Sequence, residues 1–469
     1  MANRPSSEPR LSARFEKLPP CVTIAAMLWM NNDHGDQEFE ETVRPAVLLE
    51  IPHLVLRGFR AYLGKLRRFQ GNARLYLLST TLSGVGFGIF RLLFNFFVLS
   101  FRPADPRYDE SLLGQMVMAS SLAALAGALP AGYLADRLGR KRSLLLSGAV
   151  VSATVVSMVL WPHPLNFYLM HVLQGLAQSL GAVTAGPFLM ENSSEEERTY
   201  LFSFQVGLQT LAGSLGNWFG GNLPTWMGEA LGVAPTSTPA YTAALLLVGG
   251  ISFLGLLPLF FLRRGPAVGT SARRMLSPFQ YLRKNPVLLG KLIGPQWVIS
   301  LGAGLLIPFM NVFFRRNYGQ SDATIGTLFA LGSLAMGLGL LLAPLLADRW
   351  PKMRVVVATQ ALSIPFLVLL GFAPSFYLSA FAYLVRVALM NMSNPVYTTF
   401  VMEQVEPEAR ATVSSLTSIG WNFGWALSPW VSGWLQTHYG FAPVFAGTIS
   451  SYGIAIAMMW RFFWHGKKG

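Results

Sequence analysis

The chain has 469 residues, 52% of them hydrophobic and only 12% charged, with a formal net charge of +14. Soluble domains carry about 25% charged residues, so this composition excludes an ordinary soluble globule and points to a polytopic helical membrane protein. The single cysteine, Cys21, excludes an intramolecular disulfide framework and a cysteine-rich metal site.

Residues 1–45 are polar and irregular, with acids crowded between Asp33 and Glu41, and read as a disordered cytoplasmic tail. Its apolar piece, 21–30, is shorter than the ~20 residues a bilayer needs and lacks a basic n-region with a cleavage site. Over 46–71, Leu56, Phe59, Leu63 and Leu66 recur at helical spacing, with Arg57, Arg60, Arg67 and Arg68 between them. That pattern reads as an amphipathic helix lying on anionic lipid headgroups, or else as a basic linker.

Twelve apolar segments of spanning length follow: 75–100, 112–135, 143–161, 166–190, 199–223, 240–262, 294–314, 323–347, 355–372, 376–401, 412–435 and 441–463. A loop at 263–293 divides them into six-helix halves, 72–262 and 294–464. The loops on one side hold nearly all Lys and Arg of this region, whereas the other side holds only Arg102, Arg107, Arg315 and Arg316. The positive-inside rule therefore expects both termini in the cytoplasm. The same asymmetry accounts for the positive charge without nucleic acid.

The halves repeat one another. At an offset of 212 residues, Leu113-Gly114 matches Ile325-Gly326, Met190-Glu191 matches Met402-Glu403, Arg198 matches Arg410, and Gly221 matches Gly433. In the first span of each half the offset is 216, pairing Gly88 with Gly304 and Asn95 with Asn311. Two repeated six-helix halves are a common build for secondary transporters, with the site near mid-membrane where the halves meet.

Between spans two and three lies Gly132-Tyr-Leu-Ala-Asp136-Arg137-Leu-Gly139-Arg140-Lys141-Arg142, with a decayed copy that keeps Asp348, Arg349 and Arg354. This turn resembles the signature loop of the Major Facilitator Superfamily, and the resemblance covers about 72–463. It implies an all-α integral membrane fold of twelve helices in two pseudo-symmetric halves. A second family pattern appears as His171-Val-Leu-Gln174-Gly175, with histidine in place of arginine. A third, associated with antiporters, appears as Gly216-Asn217-Trp-Phe-Gly220-Gly221 without its proline, and tilts the reading slightly toward export.

A carboxylate at the end of one helix is well placed against the N-terminus of another. Asp136 is therefore expected to dock at the start of span eleven and Asp348 at the start of span five. Glu191, Arg198, Glu403 and Arg410 would complete two half-to-half networks, a conformational latch. The alternative is that these charges only set topology.

An ionisable residue inside a span is a candidate for function. Arg91 and Asn95 of span one, His171, Gln174 and Gln178 of span four, Asn311 of span seven, and Tyr383 and Arg386 of span ten are the candidate substrate-binding residues. Arg91, Gln174 and Arg386 share a depth of ~12–15 Å below the far surface at 1.5 Å per residue. Two arginines from opposite halves, with no deep Asp or Glu to neutralise them, suggest a bidentate anion site. A structural role and a lipid-facing placement are the alternatives. His171 reads as a neutral hydrogen-bonding group rather than a proton site.

The sequence shows no catalytic signature, no metal cluster and no cofactor motif. The expectation is a monomeric transporter of a small organic anion in the inner membrane, with lipids and a small-molecule substrate as partners and a proton as a candidate coupling ion. Efflux of neutral or cationic drugs and a non-transporting sensor are the competing readings.

Overall fold

The computed structural model describes residues 69–263, 283–406 and 409–464. The expected tail, the amphipathic helix and most of the central loop lie outside the described residues. From Gly71 onward the chain forms one compact unit.

Its helices are α1 (Gly71–Leu99), α2 (Glu110–Leu138), α3 (Arg140–Leu160), α4 (Pro164–Glu191), α5 (Glu195–Leu231) and α6 (Thr238–Phe260) in the first half. The second half comprises α7 (Pro286–Leu306), α8 (Met310–Tyr318), α9 (Asp322–Arg349), α10 (Lys352–Phe372), α11 (Phe376–Glu403), α12 (Arg410–Tyr439) and α13 (Ala442–Phe463). A single 3-10 turn, Ile307–Phe309, joins α7 to α8, so the two make one span and the described spans number twelve. Span seven starts at Pro286, earlier than its apolar stretch implies, because Pro at the first helical turn is pre-set for helix and its missing N–H costs nothing there.

Among the described residues, nine spans are long and apolar enough to cross a membrane. The three below that mark are α4, α5 and α12. Several of their polar side chains are turned inward: His171 and Gln174, Ser214 and Asn217, and Ser428, Ser432 and Gln436 are all buried.

Four glycines weld the halves together. A Cβ on Gly114 of α2 would strike the Pro429 carbonyl of α12, and one on Gly433 of α12 would strike that of Glu110. A Cβ on Gly326 of α9 would strike the Asn217 carbonyl of α5, and one on Gly221 of α5 that of Asp322. Exchanging each residue for the one 212 positions away in the other half converts the first pair of contacts into the second. The repeat thus preserves two helix crossings in which only glycine lets backbones approach this closely.

All four contacts lie toward the face with few cations, here called the far face. Toward the opposite, basic face, a Cβ on Gly132 of α2 or Gly207 of α5 would meet nothing within 4 Å. The turn between α2 and α3 on that face is made by Gly139, whose φ of +79° favours glycine.

Candidate functional site

Arg386 enters from α11 and is 3% exposed. Its Nη2 donates to the Tyr452 hydroxyl of α13 at 2.9 Å, and its Nε is buried with no hydrogen-bond partner. Arg91 projects from α1 in the other half and is exposed. Both arginines lie within electrostatic reach of the Tyr383 phenol, whose ring packs against Phe329 at 5.6 Å and Phe314 at 5.8 Å. Tyr383 therefore lies within the electrostatic range of both Arg91 and Arg386. The buried Nε is costly unless something accepts its hydrogen. Tyr452 was not legible as a partner, because nothing in the sequence brings α13 to α11.

The span-four residues divide. His171 is buried, its Nδ1 donating to the Phe167 carbonyl at 2.8 Å and its ring 5.3 Å from Phe94. Gln174 is buried beside it, and Gln178 is exposed. On α1, Gly84 and Gly88 pack against Ala212 and Gly213 of α5.

Asn95 and Asn311, expected among the substrate-binding residues, hydrogen-bond to each other in this structure. Asn95 Nδ2 donates to Asn311 Oδ1 at 2.9 Å and to the Pro308 carbonyl at 2.8 Å, while Asn311 Nδ2 donates to the Leu92 carbonyl at 2.7 Å. They form a clasp between halves, closer to the far face than Arg91.

Two carboxylates that the sequence reading passed over complete this closure. Glu110, 2% exposed at the start of α2, accepts from Arg102 Nη1 at 3.1 Å and from Arg316 Nη1 of the other half at 2.9 Å. Asp322, 6% exposed at the start of α9, pairs with Arg315 and accepts from the Tyr241 hydroxyl of the other half at 2.8 Å. Glu110 and Asp322 are again 212 residues apart. The signal available in the sequence is the four cations on the far side, Arg102, Arg107, Arg315 and Arg316.

The charged turns at the basic face are paired differently from expectation. Asp136 meets Arg140 at 3.0 Å, and Arg140 Nε reaches Glu191 at 3.1 Å. The equivalent ion pair in the second half is Lys352 with Glu403. Both ties lie within one half, not between halves. The docking of Asp136 on α12 and of Asp348 on α5 is not seen: Asp136 and Asp348 are exposed. Near this face a Cβ on Gly132 of α2 or Gly207 of α5 would meet no neighbour, whereas the close glycine crossings lie toward the far face. Arg137 lies over the Tyr133 ring at 4.4 Å, and Arg410 Nε donates to the Met402 carbonyl at 3.0 Å. Arg198 keeps a buried Nε without a partner among the described residues. Arg142 and Arg349 are exposed.

Known proteins share this architecture. A bacterial homologue of the human lysosomal transporter Spinster, inward-facing and occupied, superposes with a TM-score of 0.68 at 16% identity, over 85% of this chain and 98% of that one. The nucleoside transporter NupG gives 0.66 at 15% identity, over 85% and 100%. The xylose transporter XylE from E. coli in its inward-open conformation gives 0.64 at 15% identity, over 82% and 95%. In sequence, the niacin transporter NiaP of Acinetobacter baylyi is 26% identical over 151 residues, 31% of this chain and 34% of that protein, so the match spans about a third of that relative. The family model described as Major Facilitator Superfamily matches residues 76–301 and 292–469. Twelve spans in two repeated halves, with that match along nearly the whole spanning region, establish that this multi-pass membrane chain belongs to the Major Facilitator Superfamily.

Proposed function

We propose that the chain is a secondary transporter that carries a small organic anion across the membrane by alternating access. The observation that supports this reading is that Arg91 and Arg386, from opposite halves, both act electrostatically on Tyr383. A guanidinium with a buried, unpartnered Nε is a donor kept for an acceptor that comes and goes. A carboxylate bridging Arg91 and Arg386 would neutralise charge that no acid within the spans compensates, and would draw the halves together.

On this reading the basic face is cytoplasmic, both termini lie there, and the structure is the state closed to the outside. Such a state suits the intra-half pairing of Asp136, Glu191 and Glu403, with the half-to-half latch reserved for the outward-open state. The Gly216–Gly221 stretch, which tilts the sequence reading toward export, packs against α1 and α9. Niacin, named for the relative in Acinetobacter baylyi, is itself a carboxylate, and supports the anion class.

The test is thermal stabilisation of the purified protein by nicotinate, benzoate and inorganic phosphate, with nicotinamide and benzamide as neutral counterparts. An anion should stabilise the wild type and fail to stabilise Arg91→Gln and Arg386→Gln. Stabilisation by the neutral compounds alone, or an undiminished response in both variants, would overturn the reading. Counterflow in proteoliposomes, run from both sides, then gives the direction.

A further inference from the structure

A cavity of about 530 Å³ opens at the far face between the halves. Arg102, Arg315 and Arg316 line it, together with Glu110, Phe96 and Leu99. Far-face cations are scarce in this protein: Arg107 is the only other one among the described residues, and it is spent on Asp105 at 2.7 Å. Topology disfavours basic residues on this face, so three guanidiniums around one cavity need another cause.

Charge bookkeeping inside the cavity is uneven. Arg315 is balanced by Asp322 and lies over the Phe96 ring at 3.5 Å. Arg102 and Arg316 share one carboxylate, Glu110, so the group carries an excess of one positive charge. Their side chains remain 40% and 45% exposed, so they are open to a ligand. Phe96 and Leu99 supply an apolar floor beside them. A volume of this size suits a small organic ligand.

We propose that this cavity is an outer docking site for a small carboxylate with an apolar body, distinct from the Arg91–Arg386 site and loaded before the far face opens. The proposal rests on the reading of the protein as an anion transporter with its basic face in the cytoplasm. The carboxylate takes hydrogen bonds from Arg102 and Arg316 in competition with Glu110. Because the Glu110–Arg316 pair joins the halves, occupancy loosens the closure that must break for the far face to open. The site thereby links arrival of cargo to opening.

The experiment uses the full chain carrying Cys21→Ser and Thr236→Cys in lipid nanodiscs of phosphatidylcholine. Thr236 is exposed at the cavity's edge. The introduced thiol should react about tenfold faster with an anionic methanethiosulfonate than with a cationic one, after correction for their rates with a free thiol. Benzoate should slow the reaction and benzamide should not. Adding Arg102→Gln with Arg316→Gln should abolish both effects, whereas adding Arg91→Gln should leave them intact. Equal rates for the two reagents, or no protection by benzoate, would overturn the proposal. Protection lost with Arg91→Gln but kept in the outer double variant would also overturn it, while leaving the central anion site standing. If added phosphatidylglycerol protects the thiol and benzoate does not, the cavity holds a lipid headgroup and the docking site is refuted. Absence of any anion effect here together with absence of anion stabilisation in the central-site test would sink both readings.

Discussion

Asn95 and Asn311 occupy equivalent positions of the two halves and hydrogen-bond to each other at 2.9 Å. The break in span seven makes this possible. The Val312 N–H, which in an unbroken helix would serve the Pro308 carbonyl, donates instead to Asn311 Oδ1 at 2.9 Å. The Pro308 carbonyl is thereby released to accept from Asn95 across the interface. A local irregularity in one half becomes a bond to the other.

Replacing Asn311 by Ala leaves the Asn95 amide short of a partner and strips the Val312 N–H of its acceptor. Unsatisfied buried polar groups cost about 1–3 kcal/mol each. Asn311→Ala should lower the thermal midpoint of the purified protein clearly, and Asn95→Ala by less, because the Asn311 amide keeps the Leu92 carbonyl. An unchanged midpoint in Asn311→Ala would show that the clasp contributes nothing.

The glycine crossings make a geometric prediction. At Gly114 and Gly326 a methyl group has no room against the facing carbonyls. Overpacking of this kind costs about 1–3 kcal/mol, and here the strain is relieved by moving the halves apart. With spin labels at Arg107→Cys and Tyr439→Cys on a Cys21→Ser background, Gly114→Ala should lengthen and broaden the far-face distance distribution. Gly453→Ala, where the space is open, should leave it unchanged. Identical distributions for both variants would refute the role of the crossing in far-face closure.

Glu110 sits between two guanidiniums, and Glu110→Gln would leave both short of a counter-charge. Arg102 and Arg316 are part-exposed, so water screens much of the loss, and a cost of about 1–2 kcal/mol follows. Asp322→Asn should act in the same direction through Tyr241 and Arg315. Both variants should raise the accessibility of far-face thiols to impermeant reagents. Reduced accessibility in either one would count against the carboxylates as closure elements.

The basic-face ties are solvent-exposed, and their worth is correspondingly small. A double-mutant cycle of Arg140→Gln with Glu191→Gln should return a coupling of about 0–1 kcal/mol in thermal unfolding. The equivalent cycle of Lys352→Gln with Glu403→Gln should fall in the same range. A coupling several times larger in one half alone would show that the two turns have diverged in role, not merely in sequence.

How much of this was legible beforehand differs by residue. The twelve spans followed from apolar length, and the repeat was visible as matched glycines, asparagines and charges at fixed offsets. Arg91 and Arg386 stood out because charge inside a span is rare. The purpose of the matched glycines was hidden, since a glycine in sequence does not say which backbone approaches it. The bond between Asn95 and Asn311 was hidden for the same reason: a polar side chain inside a span needs a partner, and the sequence does not say which. Glu110 and Asp322 were overlooked because they stand at span ends, where an acid is ordinarily solvated and favoured by the helix dipole.

By itself the sequence determined that this chain lives in a bilayer, how many times it crosses and that its halves are copies, because hydropathy, length and repetition are properties of the chain taken along its own axis. Which end of the molecule is closed, which polar residues satisfy one another and which donors are left over were decided only by the tertiary structure. Those depend on how two rigid halves meet, and a contact between residues two hundred positions apart is set by packing that no local pattern encodes.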